Sequence, residues 1–124
     1  VAGRGDSNIV LVNFNLTDFE ELLEYHALER YVRSHRQMNK RNYVLIDEVQ
    51  MCQSFEKAIN SLHASGEFDI YITGSNAFLL SSDLATLFTG RTFEIHVFPF
   101  SLKEYMTYYN MTDCNAALDS RTSA

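Results

Sequence analysis

Three short runs of β-branched and aliphatic residues constrain this chain most: NIVLVNF at residues 8–14, YVLI at 43–46 and FDIYIT at 68–73. Apolar runs this continuous are how strands buried on both faces of a parallel sheet read. The segments between them carry a different period. Thr17 and Glu20 form a T-x-x-E capping box, and Phe19, Leu22, Leu23, His26, Ala27, Arg30 and Tyr31 follow at helical spacing, which predicts one helix over 18–36. Phe55, Ala58, Ile59 and Leu62, at i, i+3, i+4 and i+7, predict a second helix over 53–64 with Gly66 as its stop. Strands alternating with amphipathic helices indicate an α/β domain with a largely parallel sheet.

The pattern continues beyond the third run. Residues 76–88 read as helical pieces around Leu79, Leu80, Leu84 and Leu87, broken by Ser81, Ser82 and Asp83 and ended by Gly90. Residues 92–98 (TFEIHVF) alternate like a strand that Pro99 closes, because proline cannot donate to a ladder. Ser101 and Glu104 form a second capping box, opening a helix through Leu102, Tyr105, Met106 and Tyr109. The domain is expected over 1–111, and residues 112–124 form a small, polar tail or linker.

With 46% hydrophobic and 21% charged residues among 124, the chain is expected to bury one core rather than stay disordered. A net charge of −6 argues against a broad nucleic-acid footprint. Cys52 and Cys114 lie far apart without metal-ligand spacing, so both are expected to be free thiols. No apolar run reaches the roughly 20 residues needed to cross a bilayer, and no signal-peptide core opens the chain, so a cytoplasmic location is expected. Val1 and a short polar, glycine-containing lead-in suggest that the chain begins mid-domain.

Ligands of α/β sheets bind beyond the carboxyl ends of the strands. Asp47 and Glu48 stand there, directly after the second run. An aspartate so placed can hold Mg²⁺ through water, and an adjacent carboxylate can polarise an attacking water. Alternatively the two acids only open a loop and cap the next helix. The third run also ends in small polar residues, Gly74, Ser75 and Asn76, which would face the same crevice.

VLIDEVQ (44–50), ITGSNAFLLS (72–81), LFTGR (87–91) and FPFSLKEY (98–105) occur in the order and spacing found in bacterial and archaeal AAA-type P-loop ATPases, and the resemblance runs from Ile9 to Tyr109. It implies an incomplete P-loop NTPase-like three-layer fold, missing the P-loop strand. It also implies that Asp47 is the Walker B Mg²⁺ ligand, Glu48 the general base, Ser75 or Asn76 the sensor, and Arg91 a contact to phosphate in cis or in trans. For Arg91 an ordinary salt bridge is an equal alternative.

That family places its first strand and a G-x-x-x-x-G-K-[S/T] loop upstream of residue 9, and no segment here matches. Gly3, Arg4 and Gly5 lack the lysine and the hydroxyl residue that follows it. Without that nest of N–H groups, the chain alone is expected to bind no ATP or Mg²⁺ and to be inactive. The resemblance also sets the P-loop strand between the 68–73 and 92–98 strands, so its loss would expose two edges and favour self-association. The expected partners are therefore the missing P-loop segment, a C-terminal helical lid with a further winged-helix or nuclease-like domain, and a second copy. The competing reading is a non-catalytic α/β interaction domain that binds a protein through an exposed sheet edge.

Weaker signals weigh less. The basic residues Arg30, Arg33, His35, Arg36, Lys40 and Arg41 are favourable near a helix C-terminus without any polyanion. His26, His35, His63 and His96 have no metal-site spacing, and the aromatic residues fall where a core needs them.

Overall fold

The computed structural model describes residues 7–74, 88 and 90–111, in two units divided between Thr92 and Phe93. In the first unit, β1 (Ser7–Asn13), β2 (Arg41–Asp47) and β3 (Phe68–Ile72) form a parallel sheet in the order β1-β2-β3. Helices α1 (Tyr25–Ser34) and α2 (Phe55–Ala64) make the two crossovers, as parallel pairing requires. The α/β class and the parallel sheet are as the sequence implied.

The register explains the core. Val10, Val44 and Ile70 stand side by side across the sheet, as do Val12, Ile46 and Ile72. These rows meet Leu28 and Val32 of α1 and Phe55, Ala58, Ile59 and Leu62 of α2. The face predicted for α2 is the face it buries. On the opposite face of the sheet Ile9, Leu11, Leu45 and Tyr71 remain exposed, Ile9 at 65%. The described residues thus supply the sheet and one helical layer.

At the amino end of the sheet, buried Asn42 holds the α1–β2 connection. Its Oδ1 accepts from Asn8 Nδ2 and from the Gln37 N–H, both at 2.9 Å, and its Nδ2 donates to the Gln37 and Lys40 carbonyls at 3.0 Å. Between the helices, the Ser61 hydroxyl donates to Glu29 at 2.6 Å and holds that carboxyl below its usual range against the effect of burial, while Arg33 pairs with Glu29 at 2.9 Å.

Two expectations need correction. The single helix over 18–36 is instead a 3-10 segment, Thr17–Leu22, followed by α1, with Leu23 and Glu24 between them. No Thr17 side chain caps the first piece, whose cap position is Leu16. The break has a tertiary cause: Glu24 bridges Gln53 in parallel, and the Gln53 N–H donates to the Leu23 carbonyl at 2.7 Å. Glu24 is therefore extended, and its carboxylate accepts from the His26 N–H at 3.2 Å to start α1 afresh. The helical phase resets, so Leu28 and Val32 are buried while His26 is exposed.

The second correction concerns residues 92–98, which form no strand. A strand exists only through a ladder partner, and among the described residues β3 pairs with β2 alone. Residues 93–98, in the second unit, are irregular, and Phe93, Ile95, Val97 and Phe98 are all exposed. They lead into α3 (Leu102–Tyr108), which has the predicted capping box: Glu104 N–H donates to Ser101 Oγ at 3.3 Å, and Ser101 N–H donates to Glu104 Oε2 at 2.8 Å. The expected helical pieces over 76–87 and the tail over 112–124 lie outside the described residues.

Candidate functional site

Alternation along a strand places residues two apart on one face, so Asn13 and Asp47, which end β1 and β2, and Thr73, which follows β3, form one polar row. Asn13 is paired with Asp47 in register. The Phe14 N–H donates to the Asp47 carbonyl at 3.2 Å, and the Thr73 N–H donates to the Ile46 carbonyl at 2.9 Å, carrying both ladders to the carboxyl edge. Asp47 is the last residue of β2 and is half-buried.

Glu48 follows in the left-handed region, at φ 56° and ψ 48°. This conformation is costly for a residue with a Cβ. It is held from both sides: Met51 N–H donates to the Glu48 carbonyl at 3.0 Å, and fully buried Val49 donates its N–H to the Thr73 carbonyl at 3.0 Å. The turn thus breaks the strand alternation between two consecutive acidic residues.

The Thr73 hydroxyl joins them. It donates to Asp47 Oδ1 and accepts from the Glu48 N–H at 3.3 Å. On the other side of Glu48, the Gln50 amide donates to Glu48 Oε2. The sequence pattern marks neither Thr73 nor Gln50; it points to Ser75 and Asn76. Strand alternation carried the signal for Thr73, since residues 43, 45 and 47 share a face with 69, 71 and 73.

Of the sequence-predicted residues, Asp47 and Glu48 are brought together at the strand end. Ser75 and Asn76 lie outside the described residues. Arg91 is exposed and makes no ion pair with a described residue; its N–H donates to the Phe88 carbonyl at 3.0 Å, around Gly90 at φ 71°. Phe88 is buried, 6.5 Å from the Phe55 ring, and anchors that turn.

The donors at the edge are all oxygens: the Asp47 carboxylate, the Thr73 hydroxyl and the Asn13 amide oxygen, which accepts from the Asn15 N–H at 2.9 Å. No group of three or more His, Cys, Asp or Glu able to hold a metal occurs among the described residues. A hard cation taking one carboxylate and completing its coordination with water and phosphate oxygens fits such a set; a thiolate or imidazole metal does not.

The opposite, amino end of the sheet also has a cleft, lined by Arg36, Lys40, Arg41, Glu67 and Asp69 among others. Its guanidinium groups are already paired, Arg36 with Glu67 and Arg41 with Asp69, the latter at 2.6 Å. The basic stretch is thus largely neutralised within the fold. Cys52 is buried, and burial, reinforced by Glu24 and Glu56, pushes its thiol up to about 11, the behaviour of an inert core cysteine. No described helix is long and apolar enough to cross a membrane.

Comparison with known proteins gives the family. The AAA domain family matches residues 2–106. An uncharacterised protein of Haemophilus influenzae is 34% identical over 118 residues, covering 94% of this chain and 30% of that protein. An uncharacterised protein of Methanocaldococcus jannaschii is 32% identical over 100 residues, covering 81% of this chain and 20% of its own. The chain thus spans less than a third of the length of these relatives. No solved structure matches significantly. With the family match covering most of its length, and a parallel sheet that ends in adjoining carboxylates, the chain belongs to the AAA domain family.

Proposed function

We propose that the carboxyl edge formed by Asn13, Asp47, Glu48 and Thr73 is the magnesium- and water-directing half of an ATP-hydrolysing site. The observation that carries this is the αL break at Glu48, directly after the strand-ending Asp47, with the Thr73 hydroxyl bonded to both residues and the two carboxylates held by different partners, Thr73 and Gln50. Family membership supports it.

In this reading Asp47 would hold the cation, and its Oδ1 accepts from the Thr73 hydroxyl. Magnesium, when bound, neutralises charge on the phosphates. Glu48 takes a proton from water as the water oxygen bonds to the γ-phosphorus and the bond to the β–γ bridging oxygen breaks, giving ADP and phosphate. Ser75 or Asn76 senses the γ-phosphate, and Arg91 meets developing charge in cis or in trans. The sequence contains no Gly-Lys pair, so a phosphate-cradling loop has to come from polypeptide outside these 124 residues. The chain alone is then inactive, and the site is cytoplasmic, where ATP is abundant.

Glu48→Gln in the full-length protein tests this. It should keep Mg·ATP binding and slow hydrolysis by roughly 10²- to 10⁴-fold, the usual worth of a positioned base. Hydrolysis at the wild-type rate would refute the assignment.

A second reading has its own observation. The outward face of the sheet exposes Ile9, Leu11, Leu45 and Tyr71, and β3 pairs with β2 alone among the described residues. Parallel sheets are almost always covered on both faces. A non-catalytic domain would use this surface for a protein partner or a second copy, and sedimentation of the chain with and without Tyr71→Lys would separate a monomer from a self-associating species.

A further inference from the structure

We propose that Gln50 is the positioning residue for Glu48, holding the carboxylate in the orientation that a water-activating base needs. This deepens the hydrolytic reading and rests on it.

Gln50 lies in the 3-10 turn Val49–Met51, between Val49 and Cys52, both almost completely buried. The Cys52 N–H donates to the Val49 carbonyl at 3.1 Å and closes the turn, so the backbone under Gln50 is fixed at both ends. From there the side-chain amide nitrogen donates to Glu48 Oε2.

The other half of the same amide is the unusual part. Gln50 Oε1 is buried and has no hydrogen-bond partner among the described residues, the one side-chain polar atom there in that condition. A buried carbonyl without a donor destabilises the fold. Methionine or leucine would fill the space without that cost, so the amide is not explained by packing. What it supplies that an apolar side chain cannot is an N–H donor to Glu48. Because Glu48 itself stands in a costly αL conformation, the turn carries two local penalties that both act on one carboxylate. Such penalties concentrate where geometry matters for chemistry.

The test uses Gln50→Met, of similar length but without a donor, and Gln50→Glu, isosteric but repelling Glu48. In the 124-residue chain, the Gln50 side-chain amide resonances should move in Glu48→Ala, which removes the acceptor of that amide. Gln50→Met should melt at or above the wild-type temperature, because the unpartnered oxygen is gone. In the full-length protein, both variants should lower kcat for ATP hydrolysis by about 10-fold or more without raising KM, as loss of positioning does. Neither should reduce it further in a Glu48→Gln background.

If Gln50→Met keeps kcat within about twofold while Glu48→Gln abolishes hydrolysis, the Gln50 assignment is overturned and the role of Glu48 stands. A fall in melting temperature accompanied by a rise in KM would make Gln50 structural and also overturn it. If Glu48→Gln hydrolyses at the wild-type rate, the hydrolytic reading falls and the Gln50 assignment falls with it.

Discussion

Removing the Thr73 hydroxyl tests how the two carboxylate-bearing residues are tied together. Thr73→Val keeps the shape and β-branching of the side chain but deletes a donor to Asp47 Oδ1 and an acceptor for the Glu48 N–H. A hydrogen bond to a charged group contributes about 1.5–3 kcal/mol when well shielded. Thr73 is exposed and Asp47 half-buried, so water replaces part of that. The second bond, at 3.3 Å, is long and adds little. A net loss of about 1 kcal/mol follows, which for a domain of this size lowers Tm by roughly 4–8 °C. Thr73→Ser retains both bonds and should melt within about 3 °C of wild type. Urea and thermal melts of the two variants, together with Asp47→Asn and the double variant, give the coupling directly, and it should be at least 0.5 kcal/mol. Equal melts for Thr73→Val and Thr73→Ser, or strictly additive losses in the cycle, would refute the link.

Other consequences are simpler to state. Asn42→Ala removes the partner of four hydrogen bonds at the α1–β2 connection and should cost about 3 kcal/mol in chemical denaturation. Cys52, with its thiol pushed up to about 11, should react with iodoacetamide at pH 8 roughly 10²-fold more slowly than an exposed cysteine, measured in a Cys114→Ser background, and the rate should rise with denaturant. Hydrogen bonds from the Ser101 hydroxyl and backbone N–H lower the Glu104 carboxyl. A lowered carboxylate stabilises the fold above its unfolded pKa and loses that contribution as pH falls through its folded value, so the α3 cap should open below about pH 4. Amide shifts of Ser101 and Glu104 should report this, and Glu104→Gln should flatten the titration.

Much of the fold was legible because its determinants are local. The three apolar runs became β1, β2 and β3, and the i, i+3, i+4, i+7 face of α2 is the face it buries. The two capping boxes show where local reading ends. Ser101 and Glu104 form theirs from groups within the first turn of α3. The same pattern at Thr17 and Glu20 does not cap a helix, because the Glu24–Gln53 bridge draws the chain into extended form a few residues later. The 92–98 segment has strand alternation but no ladder, since a strand is a property of two segments and a sequence displays one.

The site divides in the same way. Asp47 and Glu48 were visible as acids ending an apolar run. Their partners were not: Thr73 is reached across a ladder, and Gln50 through an αL turn that no glycine announces.

The most direct test of the central claim is Mg·ATP binding by calorimetry, on this chain and on a version extended upstream through a phosphate-binding loop, each with an Asp47→Ala control. Binding by the extended protein alone, weakened in its magnesium dependence by Asp47→Ala, is the expected result. Tight binding by the 124-residue chain would contradict the need for an outside phosphate cradle. Binding by neither would contradict the ATP site itself and leave the scaffold as an interaction domain.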